Sequence, residues 1–442
     1  HMSSFITADG AHICTPFRPD LATLIPHART LDYRGERMLV MPNRPDENKL
    51  ARNLGVAVPS PILTRYDWCR HSPAPWEVQR TTAALLSEST RAFVLSTMGT
   101  GKTRATCYAF DYLIKEGRAK RVLVSAPLST LTPVWEDEMF SRFHHLSYAV
   151  LHGSRAKRLK LLARGDQVCI INHHGIHMIE QELAEAGFDV VVVDELAVLR
   201  NKQTQLWKSH ATVVAKARYA WGLTGSPTPM APTDAWAQIK LLAPARAGRS
   251  MASFQDQTMR RISQFRWVAR PEANEIVHQA MQPSVRFTLD DINELPATSY
   301  IDRKVVLDPL AARAYKMLFD RMSTLTSKGQ TVTAVNEGVL QSKLLQVACG
   351  YIYTDKVGGE KQVYALPNAP RLEALEETIA GTDRKVIVFV PFIHAIEGVA
   401  AHLRAQGHDI AVVHGGVGRS QRDLIFRGFQ HEASPRILVA HP

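Results

Sequence analysis

The sequence predicts an α/β protein with two domains built on parallel sheets, the second incomplete at its C-terminal end, preceded by a small α+β segment. Three observations carry this prediction. Short continuous runs of Val, Ile and Leu alternate with helical stretches from about residue 91 to 245, as strands covered by helices on both faces require. A second set of such runs, "KVIVFV" (385–390), "DIAVVHG" (409–415) and "RILVA" (436–440), stands near the C-terminus. A chain of 442 residues, 45% of them hydrophobic, is long enough for about three units that each bury a core.

In chain order, residues 3–70 are rich in proline and read strand–helix–strand–helix, with "DENKLARNLG" as the clearest helical piece. They are expected to form a small accessory domain or a structural cap. The first α/β domain is placed at 71–245, with strands "RAFVLS" (91–96), "RVLVSA" (121–126), "QVCIIN" (167–172), "DVVVVDE" (189–195) and "ARYAWGLTG" (217–225). Residues 246–294 read as a helical, basic insertion or linker, and 295–442 as the second, incomplete domain.

Composition narrows the class of partner. The chain holds 53 Lys and Arg against 42 Asp and Glu, a net charge of +11, which favours a polyanion but equally fits a basic soluble protein. Five cysteines, Cys14, Cys69, Cys107, Cys169 and Cys349, are scattered and never spaced CxxC. That argues against a disulfide framework or zinc module and for a reducing compartment, the cytoplasm or, for a viral protein, the host's. No apolar run approaches the roughly 18 residues of a membrane span. "HHGIH" (His173, His174, His177) has no Cys or carboxylate at ligand spacing, so packed or nucleic-acid-facing histidines are a better reading than a metal site.

The chemistry begins at "RAFVLSTMGTGKTR", which runs strand, tight loop, helix. Gly99 and Gly101 let backbone N–H groups turn toward phosphate oxygens, Lys102 reaches the outer phosphates, and Thr103 places its hydroxyl on Mg²⁺. Ser96 occupies the place where such loops usually have glycine, a position that turns the strand end. The four valines of "DVVVVDELAVLRN" then make a buried strand that delivers Asp194 and Glu195 to its C-terminal end, where α/β sites lie. Asp194 is suited to hold Mg²⁺ and Glu195 to polarise an attacking water. Each motif alone could be an ordinary turn or helix start; together, ahead of "GLTGSPTP", they specify ATP chemistry.

The order of motifs resembles the Swi/Snf-type branch of superfamily-two helicases and DNA translocases, and a bacteriophage-type member in particular. "PAPWEVQR", "SAPLSTLTPVWEDEMF", "IINHHGI", "DELAVLRN", "GLTGSPTP", "MQPSVRFTLDDINELP", "KLLQVACGYI", "VIVFVPFIHAIEGVAAHL" and "VVHGGVGRSQRDLIFRGFQ" carry the resemblance over roughly residues 75–442. It implies two RecA-like lobes that hydrolyse ATP in their cleft while moving on DNA, duplex or forked, without strong sequence preference. ATP would be held by Trp76, Gln79, Met98, Gly99, Thr100, Gly101, Lys102, Thr103 and Arg104, with Lys102, Asp194 and Glu195 catalytic. Pro127, Leu128, His173, His174, Arg200 and Asn201 of the first lobe, and Pro391, Gly415 and Gly416 of the second, would face nucleic acid. Thr224, Gly225 and Ser226 would couple the two ligands. No membrane and no obligate protein partner are implied.

The resemblance also marks departures. Ala197 stands where many relatives have a histidine that links the acidic motif to "LTGSPTP", and His173-His174 where eukaryotic relatives often show Tyr-Glu. The N-terminal segment faintly resembles the accessory domain with which annealing helicases hold forked DNA. Two further motifs, one with an arginine that reaches the γ-phosphate, are implied after "RILVAHP", and no residue of the chain aligns with them. A chain truncated within the second lobe, with weak turnover, is therefore the expectation. An RNA or single-strand helicase and an ATP-gated DNA clamp are the alternatives.

Overall fold

The computed structural model describes residues 4–70, 72–263, 266–296, 298–327, 334–353 and 363–442. They divide into two compact units, His1–Ala297 and Thr298–Pro442.

The first unit opens with an antiparallel sheet of β1 (Phe5–Ile6), β2 (His12–Pro16), β3 (Arg29–Tyr33) and β4 (Glu36–Pro42), in the order β1-β2-β4-β3. Ile13, Leu39 and Met41 alternate onto one face and pack with Leu21 and Ala51 of the helices Pro19–Leu24 and Pro45–Asn53. The two-residue turn Arg34-Gly35 between β3 and β4 takes positive φ at both positions, 50° and 79°, as tight hairpins need. Residues 61–70 then leave this sheet. Ile62, Tyr66 and Trp68 enter the core beneath the large sheet that follows. The Tyr66 hydroxyl donates to buried Asp111 Oδ2 at 2.5 Å, and His145 Nε2 meets the other carboxylate oxygen at 2.7 Å. Tyr66 also packs edge-on against Trp68, Tyr108 and Tyr112.

The large sheet uses β5 (Arg91–Val94), β6 (Val122–Ala126), β7 (Tyr148–Leu151), β8 (Val168–Asn172), β9 (Val190–Val193) and β10 (Tyr219–Leu223). A separate hairpin, β11 (Met259–Arg261) and β12 (Trp267–Ala269), precedes a short strand, β13 (Ser284–Val285). The order is β13-β5-β10-β9-β6-β8-β7, and every neighbouring pair is parallel. Along β9, Val190 and Val192 enter one apolar cluster and Val191 and Val193 the other. A strand buried on both faces cannot alternate polar with apolar, which is why this run reads as four valines. Where the sequence reading has a helical linker at 246–294, the structure has helices Met251–Thr258 and Ala273–Ala280 packed into the sheet's core through Phe254, Val277 and Met281. The same stretch supplies the edge strand β13.

The second unit carries helices Pro309–Ser327 and Ala334–Ala348, a hairpin of β14 (Tyr351–Tyr353) and β15 (Val363–Ala365), and a three-stranded parallel sheet. That sheet joins β16 (Val386–Phe389), β17 (Ile410–Val413) and β18 (Ile437–Ala440) in the order β16-β18-β17. Ile437 and Val439 face helices Ala369–Ala380 and Ile393–Ala405, while Leu438 and Ala440 face helix Arg419–His431. The fold is thus α/β with parallel-sheet lobes, and an antiparallel sheet at the N-terminus.

Candidate nucleotide-binding site

The carboxyl ends of β5, β9 and β10 converge on one cavity of about 710 Å³, within the usual size of ligand sites. Its lining includes Thr97 and Met98 from the loop after β5, Glu195 and Arg200 after β9, and Thr224–Ser226 after β10. Thr97 and Met98 of the Gly-rich loop, Glu195 and the Thr224–Ser226 turn, far apart in sequence, therefore share one wall.

The loop's shape follows from its glycines. Gly99 and Gly101 adopt φ of 83° and 75°, a region that costs an L-residue about 1–2 kcal/mol. A Cβ at Gly101 would also collide with the Gln79 side-chain amide. Gly101 caps the helix Lys102–Lys115, whose first N–H groups are thereby left open to a phosphate. Lys102 Nζ donates to the carbonyls of Ser96 and Thr97 at 2.8 and 3.1 Å. The Thr97 hydroxyl is buried and, among the described residues, has no hydrogen-bond partner.

Asp194 is buried, and its N–H donates to the Ser125 carbonyl at 2.8 Å. Its carboxylate accepts the Trp135 indole N–H at 2.9 Å and the Glu195 N–H at 3.0 Å. Burial raises the Asp194 pKa above the ordinary carboxylate value despite these donors. The Glu195 pKa is raised by burial and by the Asp194 charge, with Lys102 opposing. Lys102 in turn is lowered by burial, with both carboxylates opposing. Glu195 sits at φ 50°, an uncommon setting for a non-glycine residue that concentrates at functional sites. Two desolvated carboxylates, an ammonium and an orphan hydroxyl around an open loop are a donor set that Mg²⁺ and phosphate oxygens would satisfy.

Residues 81–349 match the SNF2-related domain, and residues 370–441 match the helicase conserved C-terminal domain. The chain belongs to the SNF2-related family. Relatives of this SNF2-family chain include protein p41 of Acyrthosiphon pisum secondary endosymbiont phage 1, 27% identical over 60% of the chain and 61% of p41. The uncharacterized ATP-dependent helicase MG018 of Mycoplasma genitalium is 23% identical over 78% of the chain and 32% of its own length. The Arabidopsis thaliana protein named "Probable ATP-dependent DNA helicase CHR23" is 21% identical over 77% of the chain and 33% of its own length. The chain thus spans less than two thirds of each of these relatives. Among solved structures, the Sulfolobus solfataricus SWI2/SNF2 ATPase core in complex with dsDNA covers 83% of the chain and 78% of itself, at 22% identity and a TM-score of 0.46. The Pyrococcus furiosus Hef helicase domain covers 83% and 86%, at 15% identity and a TM-score of 0.49.

The remaining motif residues of the SNF2-family chain fall in different places. Pro127, Leu128, His174, Arg200 and Asn201 lie at the carboxyl ends of β6, β8 and β9, with Leu128, His174, Arg200 and Asn201 exposed. Pro391, Gly415 and Gly416 follow β16 and β17 in the second unit, the glycines exposed. His173 turns inward instead. Its Nδ1 lies 2.7 Å from the Ser125 hydroxyl, which is 2.9 Å from His210 Nε2, and His210 Nδ1 donates to the Leu206 carbonyl at 2.7 Å. His210 Nε2 must then accept from Ser125, and Ser125 from His173 Nδ1–H. Burial lowers the pKa of His173 to about 3 and of His210 to about 4. His173 is thus a core residue that braces Ser125, not a nucleic-acid-facing one.

Two expected ATP contacts are also committed elsewhere. Gln79 Oε1 accepts the Trp76 N–H at 2.9 Å and so caps the helix Glu77–Glu88. Arg104 forks onto Glu138, with its closest approach 2.9 Å, tying the loop's helix to the helix Asp137–Arg142. Ala197 lines the same cavity as Ser226 and has no side-chain polar atom with which to bridge to it. Two supporting groups escaped the sequence reading. Trp135 holds Asp194, and Arg158, buried, holds the carbonyls of Leu151 and Gly153 and the Asn172 side chain at the ends of β7 and β8. The tryptophan stood inside the quoted "TPVWEDE", but nothing in the sequence pointed it at an aspartate 59 residues away.

Proposed function

We propose that this SNF2-family chain binds Mg·ATP on the loop 96–104 and uses its hydrolysis to move on duplex or forked DNA. The observation that carries the reading is the shared wall of the cavity, where the loop, Glu195 and the Thr224–Ser226 motif meet. Thr103 and Asp194 would hold Mg²⁺, which when bound offsets the negative charge of the phosphates. Lys102 would leave the Ser96 and Thr97 carbonyls for a phosphate oxygen. Glu195 would accept the proton of the attacking water at its carboxylate, a task for which a raised pKa makes it a stronger base. Trp135 would keep the second oxygen of Asp194 aimed and dry.

Exposed groups at the strand ends of both units favour a grip on phosphates with little base reading. The dsDNA bound to the Sulfolobus core and the DNA helicase name of the Arabidopsis relative support DNA as the track. The test is the ATPase rate of the chain alone and with duplex DNA, forked DNA and RNA. Stimulation by duplex or forked DNA, abolished in Lys102→Ala and Glu195→Gln, is the expected result. Stimulation by RNA alone would replace DNA with RNA as the track. Nucleotide-dependent DNA binding without hydrolysis would make the chain a clamp.

A further inference from the structure

Ser96 departs from the usual phosphate-loop glycine, and its hydroxyl is occupied. It accepts the Phe287 N–H at 3.0 Å, and the residue as a whole is 1% exposed. Around it, Phe93, Leu95 and Thr97 donate their N–H groups to the carbonyls of Pro283, Val285 and Phe287 at 3.0, 2.8 and 2.9 Å. In a regular parallel ladder the Phe287 N–H would go to a backbone carbonyl of the neighbouring strand. Here the Ser96 hydroxyl takes the place of that carbonyl, between the rungs made by the Leu95 and Thr97 N–H groups. Glycine has no atom for that rung.

The segment that follows stays on the nucleotide-binding elements. The Leu289 side chain lies 3.1 Å from where a Cβ on Gly99 would stand, and it lines the same cavity as Glu195 and Ser226. Glu294 Oε1 accepts the Glu77 N–H at 3.1 Å, at the start of the helix that carries Gln79. Residues 284–294 are therefore a strap fastened at Ser96, Thr97 and Glu77, and the chain runs from it into the second unit at Thr298. Lys102 holds the carbonyls of Ser96 and Thr97, the two residues that also hold Phe287. A phosphate that draws Lys102 away leaves that turn held by the strap and by the Thr100 hydroxyl, which donates to the Thr97 carbonyl at 2.8 Å.

We propose that Ser96 is a positioning residue whose hydroxyl hooks the strap 284–294 to the phosphate loop and passes the loop's occupancy to the segment leading to the second unit. The proposal rests on the reading of the loop as an ATP site. The experiment is amide hydrogen exchange on the whole chain with and without a non-hydrolysable ATP analogue and Mg²⁺, on wild type, Ser96→Gly, Ser96→Ala and Ser96→Thr. Analogue affinity is measured by fluorescence titration and folding by thermal melts. In wild type, protection of 287–294 should change on binding the analogue. In Ser96→Gly and Ser96→Ala, exchange at Phe287 should be about fivefold faster, the net worth of one hydrogen bond. Measured at saturating analogue for each variant, the nucleotide response of the strap should disappear in both, and Ser96→Thr should restore it.

Ser96→Gly restores the usual loop residue, so wild-type strap protection and response in that variant would overturn the proposal. So would a wild-type strap that ignores a bound analogue. A wild-type chain that does not bind the analogue at all would instead sink the ATP reading, and the proposal with it. Should Ser96→Gly melt early, the Ser96→Ala and Ser96→Thr pair decides by the same criteria.

Discussion

Acid should weaken the first unit through one buried pair. His173 and His210 share the Ser125 hydroxyl, and burial holds their pKa values at about 3 and about 4 against a reference of 6.5. Both folded values lie below the unfolded one, so the unfolded chain binds more protons below pH 6.5 and stability falls as pH drops. At pH 5 the unfolded imidazoles are almost fully protonated and the folded ones almost fully neutral. The ratio of the two binding terms is about 30 for each histidine, or about 2 kcal/mol each at about 1.4 kcal/mol per tenfold. The whole effect is present at pH 8, begins to go below about pH 6.5 and is lost as pH approaches the folded values. Urea unfolding followed by tryptophan fluorescence at pH 8, 7, 6 and 5 measures it, in wild type and in a His173→Gln/His210→Gln double variant. Other titrating groups act on both proteins, so the difference in slope isolates the pair. Equal slopes between pH 6.5 and 5 would refute the reasoning.

Other perturbations probe the site directly. Trp135→Phe removes a donor to a buried carboxylate, a loss of about 1.5–3 kcal/mol, and should raise the Asp194 pKa further. The acid limb of the ATPase pH profile should move up by about one unit or more, read from rates between pH 5 and 8. Gly101→Ala forces an L-residue into φ 75° and pushes the Gln79 amide aside. It should cost about 1–2 kcal/mol in backbone strain and weaken nucleotide binding at least tenfold in a fluorescent-analogue titration. Arg158→Leu leaves two carbonyls and the Asn172 side chain without their donor. It should lower stability by about 3 kcal/mol in denaturant melts, at about 1–3 kcal/mol for each buried group left unpaired.

What the sequence discloses is what strand periodicity and local motifs encode. The valine run of β9 is legible because both of its faces are buried, and the loop 96–104 because glycine and lysine spacing is itself the structure. β13 is not legible. Two residues after Pro283 are too short to show a period, and only pairing with β5 makes them a strand. His173 illustrates a different limit. It begins the helix His173–Met178 directly after β8, and whether a residue at such a corner points in or out depends on His210, which comes from a helix 37 positions later in the chain. Trp135 on Asp194 and Ser96 on Phe287 fail for the same reason: the residue is visible in the sequence, but its partner is fixed only by the crossovers of the sheet. The Arg104 pairing is hidden in the same way, since its place in the loop motif says nothing about Glu138.

The Tyr66–Asp111 bond gives the N-terminal sheet a mechanical part. Asp111 lies nine positions after Lys102 on the same helix, about 14 Å along its axis. A pull on residues before Tyr66 is thus delivered to the rod whose other end carries Lys102. A chain cut at residue 60 keeps this coupling rod loaded by its own aromatic cluster, whereas one cut at residue 70 strips the rod of Tyr66 and Trp68 and leaves Asp111 buried against a gap.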